Sequence, residues 1–352
     1  MLQQTQVKTV MPYWERWMTA LPTITALARA RPDSLHKLWE GLGYYTRVRN
    51  LQRAAHIIVL EHRGVFPDRY EQVLSLPGIG AYTAGAICSI AFHQPHPILD
   101  GNVARVLARL FSINRDPRKA TTRSRLWRLA AELVRIAGGK SCSQFNQALM
   151  ELGALVCTPR QPACEKCPVR KFCAALKQGR VHLLPTIGRR PASVSRRFAA
   201  FVVEKDNRFL VRQRPAGVVN AHLWEFPNAE LFGSDGLGRA AAQALGAPPR
   251  RLEHLCQIKH SITRYRITLD AYRTGIAKPH VNSPHGDWLT PAQLLKRPFT
   301  SAHKRILNIL AVVNPRPHAR SSFSVNLYGA FLVSQAAVRH RVEQGQGGKR
   351  SS

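Results

Sequence analysis

Four cysteines, Cys157, Cys164, Cys167 and Cys173, stand within seventeen residues of a 352-residue chain in the spacing C-x6-C-x2-C-x5-C. Unligated thiols rarely crowd in this way, and the total of seven cysteines is odd, so metal coordination is a better reading than a disulfide framework. The opening residues, MLQQTQVKTVMPYWERW, lack a cationic start followed by an apolar run and a small-residue cleavage site, and a cytosolic compartment is therefore expected. Zinc and iron–sulfur clusters both accept four cysteine ligands, so the residue types alone leave both open. Cys88, Cys142 and Cys256 fall outside the pattern and read as packing residues.

Charge supplies the second constraint. Lys and Arg number 52 against 20 Asp and Glu, a formal net charge of +32, which creates a strong field for polyanions and makes nucleic acid the expected partner. The bland alternative is a compositional bias toward arginine. Arg160, Lys166, Arg170 and Lys171 lie in or beside the cysteine loop, where cations can rest on phosphates while thiolates face inward. No apolar run approaches the ~20 residues that cross a bilayer, so no membrane segment is expected.

The length suggests two domains. Up to about residue 175 the apolar period is helical: Leu51, Ala54, Ala55 and Ile58 fit one stripe, and Val103, Val106, Leu107 and Leu110 another. Residues 177–196 carry Gly, Pro and Arg without periodicity and read as an exposed basic linker. Beyond it FAAFVVE, a Lys-Asp-Asn-Arg turn and FLVRQR read as a hairpin, while Tyr265, Ile267, Leu269 and Ala271 alternate on one strand face. The second half is thus α+β, and residues 313–352, lacking a clear period, read as a disordered tail.

Two further segments carry chemistry. LPGIGAYTAGAI, residues 76–87, places Leu76, Gly78 and Gly80 in a tight turn between helices, which leaves the N–H groups of a helix start free to grip a phosphate. In HPILDGNVARVL, Asp100 directly precedes a helix and is the only acidic residue between Glu71 and Asp116. Its plain role is a helix N-cap; in positive surroundings an isolated carboxylate can also stabilise a cation.

Hairpin, aspartate and cysteines in this order resemble the helix–hairpin–helix DNA glycosylase superfamily over residues 1–175, and the cysteine spacing is similar to that of its endonuclease III-like members, which favours a [4Fe-4S] cluster over zinc. MLQQTQV at 1–7, GLGYYTRVRNL at 41–51, DGNVARVL at 100–107 and FNQALMELGA at 145–154 resemble the MutY family of adenine DNA glycosylases. The resemblance implies roles residue by residue. Asp100 would stabilise the cationic sugar formed as the base leaves, with Asn102 beside the reaction centre and Tyr82 close to the sugar. Gln4 and Tyr44 would wedge into the stack, and Gln147 would hydrogen-bond the extruded adenine. Tyr82 stands where lyase members of the superfamily carry a Schiff-base lysine, so strand cleavage is not expected. The acid that protonates the base belongs, in the family, to a glutamate two residues before the MLQQTQV motif. Here the motif begins at Met1, from which the expectation is an N-terminally truncated chain that excises adenine slowly, if at all.

Residues 197–312 resemble the Nudix-like domain of the same family, with LWEFPNAEL at 223–231 as the landmark. The following run, GRAAAQALG, lacks the glutamates that bind magnesium in a working Nudix hydrolase, and Asp235 is the only acidic residue between 231 and 252. What the resemblance leaves is lesion reading by a loop with a Phe-Ser-His core. HSITRYR at 260–266 places Ile262, Thr263 and Arg264 there; Thr keeps a hydroxyl, whereas Arg for His changes shape and charge. The reading as a whole is a multidomain chain: an all-α glycosylase domain with an iron–sulfur loop at 1–176, the linker at 177–196, an α+β Nudix-like domain at 197–312 and the tail. It implies a monomeric base-excision enzyme, nucleoid-associated in a bacterial cytoplasm, whose substrate is double-stranded DNA with adenine opposite 8-oxoguanine or guanine. A thymine or uracil mismatch glycosylase and a non-catalytic lesion-binding protein are the alternatives.

Overall fold

The computed structural model describes residues 1–3, 5–188, 192–232, 236–262, 264–276 and 286–310. Contacts divide them into two compact units, one of residues 53–188 and one in which residues 1–52 join the described residues from 192 onward. Helices α1 (Val7–Ala20), α2 (Ile24–Arg29) and α3 (Pro32–Leu38) belong to the second of these, and the division falls inside α4 (Thr46–Glu61). Ala54, Ala55 and Ile58 of the expected α4 stripe are buried, while Leu51, at its edge, is 39% exposed.

In the helical unit α5 (Tyr70–Ser75) and α6 (Ala81–Ala91) form the hairpin, followed by α7 (Gly101–Leu110) and the long α8 (Ala120–Glu151), which breaks at Gly138. α6 is built largely of small residues. A Cβ at Gly85 would lie 2.0 Å from the carbonyl oxygen of Pro97, so only glycine lets α6 approach the extended segment that delivers Asp100. Val103, Val106 and Leu107 of α7 pack with Ile98, Leu126 and Leu149 in the main core of this unit, as the helical period predicts.

The end of the unit corrects one expectation. After α9 (Ala174–Lys177) and a 3-10 turn, Val181 and Leu184 bury together with Ala175. The first part of the supposed exposed linker is therefore packed down by two apolar residues three apart. Residues 189–191 lie outside the described residues, as do 311–352, which include the tail.

The second half forms a mixed sheet of β1 (Val194–Lys205), β2 (Arg208–Gln213), β3 (Trp224–Glu225), β4 (Asn228–Leu231), β5 (Glu253–Ile262), β6 (Tyr265–Thr274) and β7 (Asp287–Leu289). Its order is β3-β2-β1-β6-β5, with β4 also on β1 and β7 on β2; β1 and β6 run parallel. Between β4 and β5 lies α10 (Leu237–Leu245), and α11 (Pro291–Lys296) and α12 (Ser301–Ile309) follow β7. Ala199, Phe201 and Val203 pack on the α10 side, Ala200 and Val202 on the α11 and α12 side. A strand covered on both faces reads as a continuous apolar run, which is why FAAFVV does not alternate. Asp206 and Asn207, at φ 49° and 55°, make the expected hairpin turn. α10 contains no carboxylate.

Two buried histidines set the acid response of this unit. His303 is 5% exposed, and its Nδ1 accepts the Phe226 N–H at 3.0 Å; burial, outweighing the attraction of Glu225, lowers its pKa to about 4. Burial also lowers His36 to about 4, assisted by Arg49 and His222. Both folded-state values lie below the ordinary histidine value, so the stability they contribute is whole above about pH 6.5 and declines as the pH falls toward 4. We expect the urea midpoint to drop on acidification from about pH 6.5 to 5, above the main carboxylate range, by up to tenfold in the folding constant per pH unit per histidine. A flat midpoint over that interval would contradict it.

Candidate active site and cysteine pocket

The hairpin is built as its residues dictate. Leu76 is 2% exposed and anchors the turn, Gly78 takes φ 79°, and Gly80 caps α6 without a side-chain hydrogen bond. The first N–H groups of α6 are thus left to an external acceptor, and the exposure of Gly78 and Gly80 keeps the approach open.

Asp100 caps α7: Oδ1 accepts the Val103 N–H at 2.7 Å. Tyr82, half-buried on α6, donates from its hydroxyl to Met150 Sδ at 3.3 Å. Burial raises the Tyr82 pKa, and the Asp100 carboxylate raises it further, which places the two within electrostatic reach. On α8, Gln147 donates from Nε2 to the Ser143 hydroxyl at 3.1 Å. Its neighbour Asn146 is buried and donates to Ser89 Oγ at 2.8 Å and to the His96 carbonyl at 2.9 Å, which ties α8 to α6 and to the segment before Asp100. The candidate residues Asp100, Asn102, Tyr82 and Gln147 therefore all belong to one packed group of three helices.

Sequence reasoning missed two arginines on α7. Arg105 donates through Nη2 to Asn102 Oδ1 at 3.0 Å and to the Gly153 carbonyl at 2.6 Å, and through Nε to the Cys157 carbonyl at 2.8 Å. Arg109, 2% exposed, donates through Nη1 to Cys157 Sγ at 3.2 Å and the Thr158 carbonyl at 2.8 Å, through Nη2 to the Pro159 carbonyl at 3.0 Å, and through Nε to the Leu184 carbonyl at 2.9 Å. Two arginines four apart on the core side of an otherwise apolar helix were the available signal.

All four cysteines of the motif line one pocket, together with Val106, Arg109 and Leu176. None is in a disulfide. Burial raises the Cys164 thiol pKa, and Cys157, Cys173 and Cys167 raise it further, as expected of a thiol that shares its pocket with the other three. Among the described residues no three His, Cys, Asp or Glu side chains converge as a single metal ion would require; the thiols share a space rather than a point. Arg160, Lys166, Arg170 and Lys171 are exposed around it.

The remaining candidates stand elsewhere. Tyr44 is 57% exposed with φ 48°, a left-handed conformation unusual for an aromatic residue, and it is not the core residue that its type alone would suggest. Ile262 pairs with Tyr265, so Arg264 lies in a tight β5–β6 connection, not within a strand. It is exposed, donates to the Tyr265 hydroxyl at 3.3 Å and lies over that ring. Gln4, Thr263 and Asp235 lie outside the described residues. Among the described residues no helix is long and apolar enough to cross a membrane.

A family model described as "HhH-GPD superfamily base excision DNA repair protein" matches residues 1–132, and a NUDIX domain model matches residues 199–308. The chain is 36% identical to the adenine DNA glycosylase of Mus musculus, covering 88% of this chain and 70% of that protein. To the protein of the same name from Homo sapiens it is 36% identical, over 88% and 66%; to that of Buchnera aphidicola (subspecies Acyrthosiphon pisum) it is 33% identical, over 64% of each. Among solved structures, a thermostable thymine-DNA glycosylase overlays half of this chain and 80% of its own at a TM-score of 0.46 and 27% identity, too loose a likeness to bear on substrate.

Two substitutions test the geometry. Asp100→Ala removes the α7 cap and should cost about 1 kcal/mol in urea unfolding, whereas Asp100→Asn retains an acceptor and should cost less than about 0.5 kcal/mol; equal losses would show that Asp100 does not act as the cap. Arg105→Ala removes the donor to the buried Gly153 carbonyl and leaves the Cys157 carbonyl only a 3.4 Å bond from Arg109, and should cost about 2 kcal/mol by the same measurement; a loss below about 0.5 kcal/mol would mean that the link is not needed for stability.

Proposed function

The chain belongs to the adenine DNA glycosylase family of helix–hairpin–helix base-excision repair proteins, and from that premise we propose that it acts on adenine opposite 8-oxoguanine or guanine in double-stranded DNA, by hydrolysis of the N-glycosidic bond. The observation that carries this reading is Asp100, fixed as the cap at the start of α7, in a helical unit whose hairpin helix α6 carries Tyr82. The cap engages Oδ1, so Oδ2 is the oxygen left for a cationic sugar. Tyr82 offers no amine for a Schiff base, and water is the nucleophile of a monofunctional enzyme.

The other residues divide the work of holding a flipped nucleotide. Leu76, Gly78 and Gly80 shape the phosphate grip, Gln4 and Tyr44 wedge the stack, Gln147 reads the extruded adenine, and Asn102 orients the reaction centre through Arg105. Thr263 and Arg264 read the base opposite. Cys157, Cys164, Cys167 and Cys173 hold a [4Fe-4S] cluster; four neighbouring thiols around a shared apolar pocket fit that group, and Arg109 supplies an N–H to one sulfur. When bound, the cluster fixes the loop from which Arg160, Lys166, Arg170 and Lys171 reach phosphates; it does no bond chemistry. Residues 1–176 act as the glycosylase domain and 197–312 as the lesion reader, in a monomer that works on DNA in the cytoplasm.

The test uses the chain from Met1 to Ser352 loaded with iron and sulfide, expected at about four of each per chain. It should bind a duplex with one 8-oxoguanine·adenine pair and release adenine in a single turnover, and Asp100→Asn should slow that release by about 100-fold or more while binding persists. Release unchanged by Asp100→Asn would show that Asp100 is not the group that stabilises the sugar. Failure to bind the duplex would overturn the proposal.

A further inference from the structure

Glu40 stands between α3 and the loop that carries Tyr44, and its carboxylate reaches far along the sequence. Oε1 accepts the Phe299 N–H at 2.9 Å; Oε2 accepts from Lys37 Nζ at 2.8 Å and pairs with Lys304 Nζ at 3.5 Å. The side chain is 14% exposed. Around it the same seam continues: Lys37 also donates to the Arg297 carbonyl at 3.1 Å, Arg297 pairs with Asp33 at 2.9 Å, and Arg49 donates to the Ala221 carbonyl at 3.3 Å. The first-half partners lie on α3, at its end, or on α4, and the second-half partners lie in the segments flanking β3 and α12.

The loop after Glu40 has little slack. Gly41, Gly43 and Tyr44 all take positive φ, at 104°, 68° and 48°. A Cβ at Gly41 would lie 2.3 Å from the Tyr13 hydroxyl, which itself donates to the Glu40 carbonyl at 3.0 Å. At the far end Arg47 donates to the Leu42 and Gly43 carbonyls at 3.1 and 3.2 Å, and also to the Met1 carbonyl at 2.7 Å and Thr5 Oγ1 at 3.1 Å. One end of the loop is thus bound to the second-half domain and the other to the N-terminal segment, with Tyr44 exposed between them.

We infer that Glu40 is a positioning residue: it holds the Tyr44 loop at a fixed place on the second-half domain, so that what this domain reads in the duplex governs how far Tyr44 enters the stack. The inference rests on the glycosylase reading above. Its physical content is that recognition and intercalation share one rigid seam. Removal of the carboxylate leaves Lys37 and Lys304 facing each other and the Phe299 N–H unpaired, and the loop then moves independently of the sheet.

The experiment measures unstacking, which needs no turnover. Duplexes carry 2-aminopurine beside an adenine opposite either 8-oxoguanine or guanine, and the fluorescence gain on saturating binding is compared between the two. The wild-type chain should show the larger gain with 8-oxoguanine. Glu40→Ala should reduce that excess about fivefold while duplex affinity, set by phosphate contacts, changes less than about threefold. Glu40→Gln, which keeps an acceptor for Phe299, should lie between, and Lys304→Met tests the seam if Glu40→Ala does not fold. A merely structural role would lower the urea midpoint and leave the ratio of gains intact. An undiminished excess in the folded variants overturns the inference and leaves the glycosylase reading standing; no excess in the wild-type chain overturns lesion reading, and the inference with it.

Discussion

The Arg105 guanidinium, buried between α7 and the chain that enters the cysteine loop, holds three acceptors at once: the Asn102 side chain, the Gly153 carbonyl just past the long helix and the carbonyl of Cys157, first of the four cysteines. Asp100 and the cysteine pocket are therefore parts of a single arrangement. Arg109, one turn on, repeats the device toward Cys157 Sγ, Thr158 and Pro159. Buried arginine is costly unless its donors are matched, and here carbonyls of the cysteine loop match them. Helix α7 then has two tasks with opposite ends: its N-terminus presents a carboxylate, and its body anchors the loop.

The second unit is organised around carboxylates as α7 is around arginines. Glu225, 3% exposed, binds Arg212 at 2.9 Å and Arg214 inside the sheet domain, and Glu40 joins that domain to the helices ahead of Tyr44. In a chain of +32 these two acids are held in internal links, while cations far outnumber acids overall.

Much of this was legible in the sequence, for reasons that differ by element. The Asp100 cap, the hairpin at Gly78 and Gly80 and the β1–β2 turn are local: each depends on residues close together in the chain, and each formed as read. The helical stripe of α7 and the alternation around Leu269 follow from one-sided burial. The linker was misjudged because Val181 and Leu184 find their core only in three dimensions. Arg105, Arg109 and Glu40 were invisible because most of their partners lie from 48 to 259 residues away and are mostly backbone atoms, which carry no side-chain signature. Tyr44 illustrates the limit from the other side. The motif marked it, but its exposure and its left-handed backbone, which argue for a working rather than a packing role, appear only in the structure.

The central claim is that the two halves together recognise adenine opposite a damaged guanine. Its most direct test is the ratio of dissociation constants of the iron-loaded chain for two duplexes that differ in one pair, 8-oxoguanine·adenine against thymine·adenine, at a fixed moderate salt concentration. The account predicts a preference of at least about 100-fold for the lesion pair, on top of a sequence-independent affinity set by phosphates. Equal affinity for the two duplexes, with the cluster in place, would contradict it.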